Sequence, residues 1–241
     1  MIEMIDSIKR FFKSMDPLFW VFIGILIVER VLNGTDSIGE AIISRLLMLP
    51  GIIIGLSLHE AGHAYTSYWL GDPTPKAQGR LSVNPLRHID PIGFVFLLVA
   101  GFGWGRPVEI NPVFYKHKRR DEFIVSIAGV TVNLIVAIVF SFIAKAVGSA
   151  YMHDPSDPLY YLYMIIVYVV YINLILMAFN LIPCPPLDGW GIVTQIFDLR
   201  KYSWWLPVYR KGSLILMVII LLGLTGRIIS PIVSALMDLL L

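Results

Sequence analysis

Residues 52–70 form an apolar run that carries His59-Glu60-Ala61-Gly62-His63 in its second half. Ionisable groups inside a segment of membrane grade cost roughly 2.5–3.5 kcal/mol each by insertion scales, so a chain that keeps them there points to a site. On a helix, residues i and i+4 share a face, and His59 and His63 can therefore bind one metal ion. Glu60 lies next to that face, placed to take a proton from a water at the metal without being a ligand. The bland alternative is a pair of histidines satisfying each other on a buried helix. The site reading is preferred.

Composition says where such a helix belongs. The 241 residues are 57% hydrophobic and 15% charged, with a mean hydropathy of +0.75, which exceeds what soluble domains carry. The charged residues cluster between apolar runs, so the expected fold class is an all-α polytopic membrane protein. About five transmembrane helices are expected, with a re-entrant segment and a short β-hairpin or strand. The net charge of +2 says little globally, and no nucleic-acid partner is expected. The single cysteine, Cys184, excludes an intrachain disulfide and a cysteine zinc cluster. There is no internal repeat and no low-complexity tract.

Along the chain, Lys9, Arg10 and Lys13 precede a short apolar run from Leu18 to Leu32, which reads as an uncleaved anchor or an interfacial helix. A second helix over 41–70 bears the motif and is broken by Pro73 and Pro75. Residues 92–104 are apolar but too short to cross, which suits a re-entrant segment or buried hairpin. Val108 and Ile110 alternate with polar residues between prolines, a strand period. Further helices are expected over 122–149 and 159–182, and a final span over 213–237. Three divisions follow: an N-terminal segment and first helix over 1–40, a core over 41–195, and a connection with the last helix over 196–241.

Lysine and arginine set the orientation. Fifteen of the 19 basic residues fall in 1–16, 71–91, 105–121 and 185–211, which marks that side as cytoplasmic and places the N-terminus there. The motif lies about 25 Å along its helix from Ile42, against a hydrocarbon core of about 30 Å. It is therefore expected within the bilayer, toward the cytoplasmic side. The 159–182 helix runs the opposite way for about 35 Å and breaks at Pro183, so Asp188 reaches the same level. The protein is expected to be multi-pass in the cell membrane.

Catalytic zinc usually keeps three protein ligands and one open position. His59 and His63 supply two. Asp188, acidic in an otherwise apolar stretch, is the best candidate for the third, with Asp90 and His88 as rivals.

The residues also carry a resemblance. Ser57-Leu58-His59-Glu60-Ala61-Gly62-His63, followed by Asn180-Leu181-Ile182-Pro183-Cys184-Pro185-Pro186-Leu187-Asp188-Gly189, resembles the site-2 protease family of intramembrane zinc metalloproteases, peptidase family M50, in a compact form without PDZ or CBS domains. The resemblance covers roughly 40–195. It implies one zinc ion per chain held by His59, His63 and Asp188, with Glu60 as the catalytic base. It matches Gly129 and Asn133 to the family's Gly-x-x-x-Asn feature and Asn180 to the asparagine before Leu-Asp-Gly, positions associated with placing the substrate. The family commonly has Gly or Ser where this chain has Trp190.

The implied reaction is hydrolysis of a peptide bond in a transmembrane segment of a protein substrate, from within the lipid bilayer. Asn133 or Asn180 would bind substrate backbone or a developing oxyanion, or serve as helix–helix hydrogen-bonding residues. Val108 and Ile110 would offer an edge to an unwound substrate, or form an ordinary hairpin. Competing functions are a protease-shaped binding or chaperone-like protein that does not cut, and a metal transporter, against which the absence of related halves argues.

Overall fold

The computed structural model describes residues 24, 38–91, 93–94, 105–151 and 158–241. The expected first run over 17–32 lies outside them, apart from residue 24. So does most of the re-entrant stretch over 92–104. Among the described residues, three helices are long and apolar enough to cross a membrane. They belong to α1 (Ile38–Trp69), α3 (Lys118–Tyr151) and α4 (Pro158–Asn180). A short α2 (Thr74–Ala77) follows the motif helix. After α4 come α5 (Asp188–Phe197), α6 (Trp205–Arg210), α7 (Gly212–Leu221) and α8 (Leu224–Leu240).

Helices α1, α3 and α4 pack against one another pairwise, α5 rests on α3, and α8 closes over α4. The core joins Val130 and Ala137 of α3 to Val170, Leu174, Met177 and Ala178 of α4 and Val233 of α8. In lipid, burial of apolar side chains does not by itself drive helices together, so close packing and interhelical hydrogen bonds carry the association. The opposite face of α3 leaves Ile135, Val139 and Phe142 exposed, as a lipid-facing surface requires. A second cluster sets Ile182 and Cys184, on the loop between α4 and α5, against Leu216 of α7. It fixes the loop that leads to Asp188.

Two expectations are corrected. The final span over 213–237 is two helices, α7 and α8, bent by 75° at their junction. Gly223 there has φ of 66°, a left-handed conformation that ends α7 and that glycine adopts without strain. The described residues therefore hold three candidate spans, or up to four if the bent pair crosses once. Residues 106–110 form no strand; among the described residues there is only an isolated antiparallel bridge between Ile89 and Gly105. Pro107 and Pro112 lack the N–H that a ladder needs. The neighbouring N–H groups of Val108 and Asn111 go to side chains instead, those of Glu60 and Asp72.

Asp72 holds the loops around residues 74 and 111 to the end of α1. Its carboxylate is fully buried and accepts from Ser67 Oγ (2.8 Å), the Thr74 N–H (2.9 Å) and the Asn111 N–H (2.7 Å). Ser67 also contacts the Tyr115 hydroxyl at 2.7 Å, and burial pushes that phenol up to about 12. Burial alone would raise the Asp72 carboxyl, but the hydrogen bonds from Thr74, Asn111 and Ser67 hold it below its ordinary value.

A depressed carboxyl stabilises the fold above its unfolded value, about 3.9, and loses that contribution as the pH falls through the lower folded value. Asp72→Asn is expected to cost roughly 2–3 kcal/mol at neutral pH. In detergent melts from about pH 6 to about pH 3, the gap between wild type and Asp72→Asn should close on the acid side. A gap that stays constant would contradict this assignment.

Candidate metal centre

His59 and His63 sit one turn apart on α1, and Asp188 is the first residue of α5. The Nε2 atoms of the two histidines are 3.2 Å apart. Asp188 Oδ2 lies 3.3 Å from His59 Nε2 and 3.2 Å from His63 Nε2. Among the described residues this is the group of His, Cys, Asp and Glu able to hold a metal ion. The rivals for the third position lie elsewhere: His88 Nε2 contacts the Ser82 carbonyl at 2.7 Å, and Asp90 Oδ1 accepts from the Gly93 N–H at 2.8 Å.

The outer nitrogens decide what this triangle is. His63 Nδ1 is 2.8 Å from the carbonyl of Val125. A carbonyl only accepts, so Nδ1 carries the proton and the neutral ring turns a lone pair inward at Nε2. His59 Nδ1 is 2.7 Å from Asn133 Oδ1. Asn133 uses its amide hydrogens on the Gly55 carbonyl (3.1 Å) and on Asn173 Oδ1 (2.9 Å), while Asn173 Nδ2 donates to the Val169 carbonyl (2.8 Å). That chain is anchored on carbonyls and runs one way only, so His59 also donates from Nδ1 and presents a lone pair at Nε2.

Three acceptors thus face one another with no donor between them. Asp188 Oδ2 is buried without a hydrogen bond. Such a group is unfavourable by itself and favourable around a cation. Two imidazole nitrogens and a carboxylate oxygen are also a donor set that suits zinc. Gly129 keeps the inner face open: a Cβ there would fall 2.4 Å from His63 Nε2 and 2.7 Å from His59 Nε2. On these observations the residues fit a metal ion.

Glu60 is half-buried beside the triangle, and its Oε2 accepts the Val108 N–H at 2.9 Å. The non-helical segment 106–110 therefore meets the side chain expected to act as base. Ile110 on that segment is exposed. Asn133 is fully buried and engaged as described, whereas Asn180, at the end of α4, donates to the Leu176 carbonyl at 2.9 Å. Trp190 is buried and meets Trp204 edge-on, with ring centroids 6.4 Å apart.

Two features escaped the sequence reading. Asn173 is one; a lone asparagine in the middle of an apolar helix was its visible signal. The other is a clamp that holds α5 to α3. Glu122, buried in the first turns of α3, accepts from both terminal nitrogens of Arg200 (2.9 and 2.5 Å) and from Gln195 Nε2 (2.7 Å). Arg119 adds bonds to the carbonyls of Gln195 (2.5 Å) and Ile196 (2.6 Å). A two-pronged arginine fixes direction as well as distance. The clamp grips the far end of the helix whose first residue is Asp188.

Helices apolar and long enough to cross a membrane enclose a His-His-carboxylate group fit for a metal ion, and comparison with known proteins makes the class specific. The chain is 36% identical over 187 residues to "Putative zinc metalloprotease YwhC" of Bacillus subtilis, a match spanning 76% of this chain and 84% of the relative. It is 27% identical over 186 residues to "Putative zinc metalloprotease Rip2" of Mycolicibacterium smegmatis, spanning 76% and 69%. To the Rip2 of Mycobacterium tuberculosis it is 30% identical over 152 residues, spanning 61% and 55%. No family model matches, and no solved structure matches. The chain belongs to the zinc metalloprotease family of YwhC and Rip2.

Gly129→Ala would set a methyl group against both inward-facing nitrogens while leaving the core clusters untouched. It is expected to abolish metal retention, read as zinc content of the purified protein, with a melting temperature close to that of the metal-stripped wild type. A Gly129→Ala protein that keeps a full zinc content would show that the inner face is not where the ion sits.

Proposed function

We propose that the protein is a site-2-type intramembrane zinc metalloprotease that hydrolyses a peptide bond within or near a transmembrane segment of its protein substrates. The observation that carries this reading is the inward convergence of His59 Nε2, His63 Nε2 and Asp188 Oδ2, with both outer imidazole nitrogens locked as donors. These three side chains would hold the zinc ion, which would supply Lewis acidity toward a water and the scissile carbonyl.

Glu60 acts as general base, taking a proton from the attacking water and returning it to the leaving amine. It lies nine residues before the end of α1, about 14 Å along the axis, which supports a site inside the apolar layer near one edge. With the basic loops on the same side, that edge is the cytoplasmic one, and the N-terminus lies there too. A helical substrate shields its own peptide bonds and has to unwind before it is cut. The non-helical segment 106–110, passing Glu60 with Ile110 exposed, supports a role as the edge along which the unwound chain lies. The Asn133 network supports a role in orienting His59. Gly129 leaves room at the histidines, and Asn180, eight residues before Asp188 in the chain, is assigned a substrate contact.

The test pairs zinc content with cleavage of a model transmembrane substrate in detergent. Wild type is expected to hold zinc and cut. Glu60→Gln should keep the metal and lose at least about 100-fold in rate, and Asp188→Ala should lose the metal. A Glu60→Gln protein that cuts at the wild-type rate removes the base assignment. A zinc-loaded wild type that never cuts moves the protein to the non-cleaving, membrane-protein-binding reading.

A further inference from the structure

A cavity of about 490 Å³ opens beside the segment that crosses Glu60, and arginine dominates its lining. Arg80, Arg87 and Arg106 face it, with Glu109, Gln78 and Leu86. Arg80 is buried and fully engaged, reaching the carbonyls of Arg87 and Pro107. Glu109 accepts from Gln78 at 2.7 Å. Arg87 reaches only the Gly79 carbonyl, at 3.5 Å. No ion pair involves any of the three guanidinium groups among the described residues. Three cations therefore share the cavity with one carboxylate, and two of them hold donors ready for a ligand.

The position matters as much as the charge. Arg106 stands two residues before Val108, whose N–H reaches Glu60, and Arg80 braces Pro107 between them. Arg80 also lies close enough to Glu60 and Arg106 to feel both charges. A chain lying along this segment past the catalytic site would continue directly into the cavity.

We propose that this cavity is a substrate subsite for an acidic side chain, an aspartate or glutamate on the aqueous flank of the segment being cut. Planar guanidinium forks match a carboxylate bidentately. Leu86, highly exposed at the rim, offers an apolar surface to the methylene stem of the same residue. A carboxylate in the bilayer centre is costly, so the acidic residue belongs just outside the apolar stretch, where this loop lies. Such a contact sets the register: it fixes which peptide bond of a featureless apolar helix comes to rest at the catalytic group. The proposal rests on the protease reading for its purpose, but its binding chemistry stands apart from it.

The experiment uses a labelled transmembrane peptide bearing one glutamate in the first turn beyond its apolar segment, and the same peptide with glutamine. Binding to the full-length Glu60→Gln protein in detergent is read by fluorescence anisotropy, and cleavage by wild type is read separately. The glutamate peptide is expected to bind about 10-fold more tightly, the equivalent of one charge-assisted contact of roughly 1.4 kcal/mol. In a background carrying Arg87→Ala and Arg106→Ala the two peptides should bind equally, and a peptide with lysine there should regain affinity for Arg106→Glu. For wild type the change should fall on KM, with kcat little altered. Equal binding of the two peptides to the unaltered cavity overturns the subsite, whatever the cleavage assay shows. Charge-selective binding by a protein that cuts neither peptide would leave the subsite standing and remove the protease reading.

Discussion

A backbone carbonyl accepts hydrogen bonds and never donates them, and the polarity of the buried centre follows from that. The carbonyls of Val169 and Gly55 fix the amides of Asn173 and Asn133, and Asn133 fixes His59. Val125 does the same for His63. No rearrangement of protons along these chains can place a donor on the inner nitrogens without breaking a bond to a carbonyl. The three packed helices thus deliver two lone pairs to the point where α5 brings a carboxylate, an arrangement that a bound cation relieves.

The bundle is what makes this affordable in lipid. Asn133 and Asn173 are fully buried where α3 and α4 meet α1, and each supplies the interhelical bonding that apolar packing alone does not. The same residues that hold the helices together therefore aim the imidazoles. Function and packing are not separable at these two positions. At Asp188 they are: the ligand rides on α5, which is registered against α3 by the Glu122–Arg200 pair at its opposite end.

What was legible in the sequence follows from how local each feature is. His59, Glu60 and His63 could be placed because i, i+4 spacing on one helix needs no knowledge of the rest of the chain. Asp188 competed with His88 and Asp90 because its place depends on how the chain turns through Pro183, Pro185 and Pro186, a tertiary matter. The pattern around Asn133 suits either a substrate contact or an interhelical bond, because the carbonyls that orient it lie far away in the sequence. The alternation at Val108 and Ile110 read as a strand because periodicity reports the backbone's extension but not its partner. The segment is non-helical, yet its donors serve two carboxylates. The break at Gly223 leaves no mark in hydropathy, because the flanking residues are apolar on both sides and the average runs across the bend.

The histidines belong to α1 and the carboxylate to α5, and the whole of α3 and α4 lies between them in the chain. With the proposed ligands, a bound ion is therefore a removable cross-link between distant parts of the polypeptide. It closes a long loop, and loop-closure entropy in the unfolded chain makes such a tie effective. Metal supply would then govern persistence as well as activity: a chain starved of zinc would keep its apolar bundle and the Glu122–Arg200 clamp but lose the tie at the Asp188 end of α5.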